Sequence, residues 1–303
     1  MRPADWYRRR LASTPGVVIH SADSCDKALT IRHVLPPADP LIEQDFRLFR
    51  EELRTPGGDF VSDALEAYRL ELELGAGYYG IWDPAPPQEW LDARREWFAF
   101  VRAHAKGKLY TAARVARAYP DAAARWRKVR PRYRIAPRAV WRSDSVVRWA
   151  ADWARQHAPC LVWSWSVPLC AALADATGLP WYGEEGRTAA GLHIDALDPQ
   201  CSAVVSGQAN LQGRNLQGWN KALYLVPPQS AQWLEQAFGR MHRQRQLQDV
   251  EIHIGITSAR VLSGFDTAIS ESEFGTQAWG ADQKIRRAEI LRCPSPVGTY
   301  RWL

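Results

Sequence analysis

"CLVWSWSVPLCAALADATG", Cys160 to Gly178, is the stretch on which the fold turns. Its first part gathers Cys160, Leu161, Val162, Trp163 and Trp165 into a run too short for a helix, the pattern of a strand buried on both faces. Pro168 then stands where a helix can begin, and small and apolar residues continue to Thr177 before Gly178 stops them. A buried strand running directly into a helix predicts a parallel sheet, because parallel neighbours need a crossover between them.

The same alternation extends outward. Upstream, "SDSVVRWAADWARQH" (143–157) reads as an amphipathic helix. Downstream come an edge segment and loop in "PWYGEEG" (180–186), strands in "CSAVVS" (201–206) and "KALYLVP" (221–227), a helix in "SAQWLEQAFGRMHR" (230–243) and a strand in "VEIHIGI" (250–256). The expected fold class is α/β, with a parallel-sheet domain over 141–303. Right-handed crossovers in such a sheet place ligands at the carboxyl ends of the strands. "SGQANLQGRNLQGW" (206–219) and "PPQS" (227–230) leave two of those ends, so the loop and the helix after it are expected at one sheet edge.

Residues 1–140 read as a separate, mainly helical region. "TPGVVIHSADS" (14–24) is a loop with a short extended piece, and helices are expected in "PLIEQDFRLFREEL", in "VSDALEAYRLELEL" and after Pro86 and Pro87. A last helix is expected over "SESEFGTQAWGADQKIRRAEI" (270–290). Trp82, Trp90 and Trp97 recur at roughly helical spacing and read as core anchors. "RWRKVRPRYRIAPRAVWR" (125–142) interleaves arginines with Trp126, Tyr133 and Trp141. That pattern suits a groove tracking a phosphate backbone, with Arg125, Arg127, Arg130 and Arg132 as its nucleic-acid contacts. The reading that the composition favours over it is a solvated arm or linker whose aromatics pack on the neighbouring domain.

Composition narrows the classes further. Of 303 residues 46% are hydrophobic, enough for a core, and the net charge of +6 is supplied mostly by arginine, which favours phosphates and carboxylates. The five cysteines form no C-x-x-C pair, the histidines show no metal-ligand spacing, and Glu184 and Glu185 lie in a loop, so no metal site is expected. The start "MRPADWYRRRLAST" lacks the apolar core of a signal peptide, and no run approaches a membrane span. A cytoplasmic protein without membrane partners is expected.

The chemistry concentrates in two segments. The loop from Gly207 to Gly218 is rich in Gly, Asn and Gln, which bend tightly and offer amide donors and acceptors. Read as one helix to Gln246, "EQAFGRMHRQRQ" (235–246) puts Gln236, Gly239, Arg240 and Arg243 on one face, with Gly239 leaving room for an approaching group. Two guanidinium groups one turn apart suit an anion, and such a group placed on a transferring γ-phosphoryl stabilises charge that grows in the transition state.

These segments together, "SGQANLQGRNLQGWNKALYLVPP" followed by "SAQWLEQAFGRMHRQRQ", resemble motifs V and VI of the superfamily 2 helicases, especially the Swi/Snf-like ATPases and their phage-type relatives. "CLVWSWSVPLCAALADATGLPWYGEEG" resembles the motif IV region opening the second RecA-like lobe, and "GAGYYGIWDPAPPQEWLDARREWFAFVR" (75–102) is similar to the segment joining the lobes. The resemblance implies a RecA-like C-terminal helicase lobe acting on DNA, with RNA left open, in the cytoplasm or, for a phage protein, the host's. It makes Arg243 the arginine finger and Arg240 a second γ-phosphate or interlobe contact. Gln236, Gly213, Asn215 and Gln217 would face the nucleotide, and His242 would cap the turn or touch a phosphate. One departure stands out: Arg245 occupies the place of a glycine in the turn after the helix.

The sequence holds no G-x-x-x-x-G-K-[ST] and no apolar strand ending in a D-E-x-H-like pair. ATP and Mg2+ would therefore be bound jointly with a P-loop ATPase lobe on another polypeptide. Two other readings stand beside this split motor: a nucleic-acid-binding remnant or regulator without ATPase activity, and a part of a longer protein.

Overall fold

The computed structural model describes residues 25–61, 64–104, 112–211, 213–279 and 283–293, together with Trp6 and Arg10. The extended piece expected in 14–24 lies outside them. Two compact units divide the chain: Tyr79–Val140 forms the smaller, and the segments on either side of it form the larger.

Nine strands occur among the described residues, numbered in chain order: β1 (Leu29–Val34), β2 (Tyr78–Asp83), β3 (Ala136–Trp141), β4 (Leu161–Ser164), β5 (Trp181–Tyr182), β6 (Ala203–Ser206), β7 (Lys221–Leu225), β8 (Val250–Gly255) and β9 (Glu289–Leu291). Seven of them build the sheet of the larger unit in the order β5-β6-β4-β7-β8-β1-β9. Every pairing in it is parallel. The expected α/β parallel-sheet class is thus present, and β4 to β8 coincide with the strands read from the sequence.

The central strands are continuous apolar runs because helices cover both faces of the sheet. Trp163 on β4 and Tyr224 on β7 stack with ring centroids 5.6 Å apart, and Phe238 from helix Ala231–Met241 meets Tyr224 edge-on at 5.6 Å. All three are fully buried. Helix Val167–Thr177 begins under a Ser166 cap, whose Oγ accepts from the Leu169 N–H, and ends at Gly178 in the left-handed region with φ 69°.

Two strands change the expected domain division. β1 lies between β8 and β9, in register Leu29 to Val250 and Ile31 to Ile252, so the residues ahead of Tyr79 belong to the sheet unit and not to a separate helical region. The reason is long-range: Leu29, Ile31 and His33 alternate inward, and both neighbours of the strand, β8 and β9, lie over two hundred residues further along the chain. Asp249 Oδ1 accepts from the Ala28 N–H at 2.9 Å, fixing where this pairing starts. The segment after β8 also differs from expectation, since its long helix is Ala259–Trp279 and it is followed by a short helix, Lys284–Arg287, and by β9.

The smaller unit contains helices Gln88–His104, Ala112–Ala118 and Ala124–Val129, with β2 and β3 pairing. Trp90 and Trp97 are buried in it as anchors, and Trp90 meets Trp82 and Trp126 edge-on at 5.4 and 5.2 Å. Trp82 stands on β2, so its spacing from Trp90 was not a helical one. Arg125 to Trp141 is not an extended arm: it folds as the end of a helix, a 3-10 turn at Arg130–Arg132, and β3.

Candidate functional site

Helix Ala231–Met241 carries the first half of the site. Ala231, Leu234, Ala237, Phe238 and Met241 recur every three or four positions and are buried, which turns Gln236 and Arg240 to the half-exposed side. Glu271 caps the start of this helix by accepting from the Ala231 N–H at 3.0 Å. Gly239 gives no close passage to a ligand. A Cβ there would meet the Lys284 side chain at 3.6 Å, an ordinary contact, and Lys284 is itself held by Glu235.

The helix stops before Arg243, and the expectation that Arg240 and Arg243 share a helical face fails for that reason. His242 leaves helical geometry at φ −91°, ψ 88°, while its backbone N–H still donates to Phe238 O at 2.8 Å. Its ring is 4% exposed, with Nε2 donating to the Lys27 carbonyl at 2.7 Å, so it anchors the chain end of the helix and does not face a phosphate. Arg243 follows in an exposed turn closed by the Gln246 N–H donating to Arg243 O at 3.0 Å. Arg245 lies in that turn with φ 72°, the conformation that the expected glycine would adopt freely. The tight turn is therefore kept with an arginine in it.

The loop meets the end of this helix. Leu216 N–H donates to Arg240 O at 3.0 Å, and Arg240 Nη1 donates back to Arg214 O at 3.1 Å. Gln246 fastens the other side: its Nε2 lies 2.9 Å from Gln217 O, 3.1 Å from Trp219 O and 3.1 Å from Met241 O. Its Oε1 accepts from the Leu247 and Gln248 N–H groups at 2.8 and 3.1 Å. This meeting point is at the amino ends of the strands, not at the carboxyl edge. In a parallel sheet the loop must travel from the end of β6 to the start of β7, and the helix returns the chain to that same side before β8.

The remaining loop residues are placed as follows. Gly213 is exposed with φ 72°, Asn215 is exposed, and Gln217 contributes its carbonyl to Gln246. Arg214, which local sequence does not single out between Gly213 and Asn215, is half-buried. Its Nη1 donates to His193 Nε2 at 2.8 Å, and Gly186 presses so closely on its guanidinium that a Cβ there would lie 2.7 Å away. The sequence signal for Gln246 was its place at the end of the quoted helix, but its role as a clamp depends on contacts 27 and 29 residues back in the chain.

Electrostatically the site is one-sided. Among the described residues no carboxylate pairs with Arg214, Arg240 or Arg243. Burial lowers the pKa of Arg240 below the usual arginine value, and the positive charge of Arg243 lowers it further. The Nε atoms of Arg214 and Arg240 are buried without a hydrogen-bond partner. Such an arrangement favours an anion. Among the described residues no group of three potential metal ligands occurs, and Glu184 and Glu185 are exposed.

No protein-family model matches the chain, and no curated protein does. Among solved structures, the chain is similar to the C-terminal part of the Fun30 ATPase domain, at 11% identity and a TM-score of 0.37, over 83% of this chain and 97% of that one.

The four arginines expected at nucleic acid lie in the smaller unit and are not equivalent. Arg125 pairs with Glu96 at 2.6 Å and Arg132 with Glu89 at 3.2 Å. Arg127 donates to Ala116 O at 2.9 Å, and Arg130 lines a groove with Trp126 and Tyr133. Among the described residues no helix is long and apolar enough to cross a membrane.

Proposed function

We propose that this chain is the C-terminal lobe of a nucleic-acid-dependent ATPase, a DNA translocase or helicase. It presents Arg243 as an arginine finger to a P-loop lobe carried on another polypeptide. The observation that carries the reading is the cluster of Arg214, Arg240 and Arg243 without a carboxylate partner, at the junction of the two segments that resemble helicase motifs V and VI. Arg240 spends a donor on the Arg214 carbonyl and acts as the brace; Arg243, on the exposed turn fixed by Gln246, is free to reach a phosphate. Gln236 lies one turn before Arg240 on the same side of the helix, and in this reading it faces the nucleotide together with Gly213, Asn215 and Gln217 of the loop.

In this reading ATP with Mg2+ binds between the two lobes, and the P-loop partner supplies the phosphate cradle and the metal contact. Arg243 contributes positive charge to the γ-phosphoryl oxygens as the transition state develops, a role worth roughly a thousandfold or more in rate. Hydrolysis needs both faces of the cleft, so the isolated chain is expected to be inactive. The test is recovery of the tagged chain from its native cell, with the bound fraction assayed for nucleic-acid-stimulated ATP hydrolysis. A co-purifying P-loop polypeptide whose turnover drops about a thousandfold with Arg243→Ala supports the proposal. A complex whose hydrolysis ignores Arg243, or a chain recovered alone and inactive, sinks it.

A second reading, a nucleic-acid-binding regulator without hydrolysis, is favoured by the positive charge of Tyr79–Val140. It predicts that Arg243→Ala changes nothing.

A further inference from the structure

Charge is divided unevenly along this chain. Tyr79–Val140 holds 14 Lys and Arg against five Asp and Glu, a net charge of +9, while the rest of the chain nets −3. The chain's cationic character therefore belongs to the smaller unit. Four of its five carboxylates are already engaged: Asp83 by Arg138 at 2.7 Å, Glu89 by Arg132, Asp92 by Arg95 at 3.5 Å and Glu96 by Arg125. The surplus falls on the other cations, and among the described residues no carboxylate pairs with Arg127, Lys128, Arg130 or Arg134.

Two of those cations stand at a groove of about 530 Å3 lined by Trp90, Trp126, Arg127, Arg130, Pro131 and Tyr133. Trp126 and Tyr133 are part-exposed there, although the same rings contribute to the small core around Trp90. Aromatic rings beside unpaired arginines are the means by which proteins hold an unpaired strand: the rings stack bases and the guanidinium groups take phosphates. A duplex presents phosphates but keeps its bases inside, so it would use the arginines and leave the rings idle.

We propose that this groove binds single-stranded nucleic acid, with a base stacked on Trp126 or Tyr133 and with Arg127 and Arg130 on the neighbouring phosphates. The proposal rests on the nucleic-acid part of the reading above and not on ATP hydrolysis. It selects Arg127 and Arg130 over Arg125 and Arg132, whose charge is already shared with Glu96 and Glu89.

The test is fluorescence anisotropy of the full chain, without nucleotide, on a labelled oligothymidylate of about 16 nucleotides and on a duplex of equal length, over a range of salt. The single strand is expected to bind at least about tenfold more tightly than the duplex. Arg127→Ala with Arg130→Ala should weaken single-strand binding about tenfold or more and flatten the log–log salt dependence by about 1.4, the share of two phosphates. The paired lysine variants should retain that slope, which separates charge from folding. Tyr133→Leu should reduce the preference for single strand with the slope unchanged.

Equal binding of duplex and single strand overturns the proposal, as does an unchanged slope in the double alanine variant. These measurements contain no nucleotide and read binding alone. Failure of the ATPase reading, seen as hydrolysis that ignores Arg243, is thereby distinguished from failure of this one.

Discussion

Arg240 and Arg243 differ by three positions and by their whole environment. Arg240 is half-buried, donates to Arg214 O and carries a buried Nε, so Arg240→Ala leaves a carbonyl without its donor and is expected to cost about 1–2 kcal/mol. Arg243 is exposed and its guanidinium has no hydrogen-bond or carboxylate partner among the described residues, so Arg243→Ala should change stability by less than about 0.5 kcal/mol while removing the proposed catalysis. Urea titrations of the two variants check this: equal destabilisation would contradict the division into brace and finger. Arg245 offers a second contrast. With φ 72° it occupies the left-handed region at a penalty of roughly 1–2 kcal/mol, which glycine escapes at the expense of some unfolded-state entropy. Arg245→Gly is therefore expected to be neutral or stabilising by up to about 1 kcal/mol, and Arg245→Val destabilising, because a β-branched residue tolerates that region worst. A shift of the denaturation midpoint in the opposite order would refute the strain argument.

Among the elements, the join between loop 213–219 and helix Ala231–Met241 depends on one side chain, Gln246, which is 5% exposed and reaches three carbonyls and two N–H groups. Gln246→Ala strands those backbone groups and is expected to destabilise by about 2–3 kcal/mol. It should also raise backbone amide exchange at Leu216 to Trp219, readable by hydrogen exchange; protection unchanged there would show that the loop holds itself. Local pattern made β4 to β8 and their helices legible, because each strand is a continuous apolar run and each helix has its own period. It did not reveal β1, since "LTIRHV" places Arg32 and His33 within a half-apolar alternation whose partner, β8, is remote in sequence. The end of the site helix was missed for a related reason. Nothing local to "RMHRQRQ" says that His242 will be drawn to the Lys27 carbonyl, and that contact is what takes Arg243 off the helical face.

At the scale of the molecule, the sheet unit carries two buried histidines whose neutrality ties its stability to pH. His253 on β8 accepts at Nδ1 from Trp153 Nε1 at 2.7 Å and donates from Nε2 to Glu251 at 2.8 Å, an arrangement open only to the neutral ring. Burial lowers its pKa below the ordinary 6.5 even though the Glu251 carboxylate pulls the other way. His33 on β1, edge-on to Phe265 at 5.0 Å, is lowered by burial and by Arg292, against Asp266. In the unfolded chain both rings take up protons near pH 6.5, and in the folded chain they do so only at lower pH. Between those limits the unfolded state holds more protons, so acidification favours unfolding; above about 6.5 the two states hold equal numbers and the effect vanishes. The slope is at most about 1.4 kcal/mol per pH unit for each histidine. Asp39 and Glu251 act in a different window. Burial alone would raise their pKa values, but hydrogen bonds to Asp39 from the Ser143 hydroxyl and from the Leu41 and Ile42 N–H groups, and to Glu251 from His253 and Arg32, lower them. Their contributions persist above the ordinary carboxylate range, about pH 4, and are lost only as the pH falls through the lowered values. Urea midpoints measured from about pH 7.5 to 5 should therefore fall as the solution is acidified. With His253→Gln, which removes the titrating ring, the remaining slope should be that of His33. A midpoint that stays level or rises over this range would mean that these rings are protonated in the folded sheet, and the bond from Trp153 to His253 would have to be abandoned.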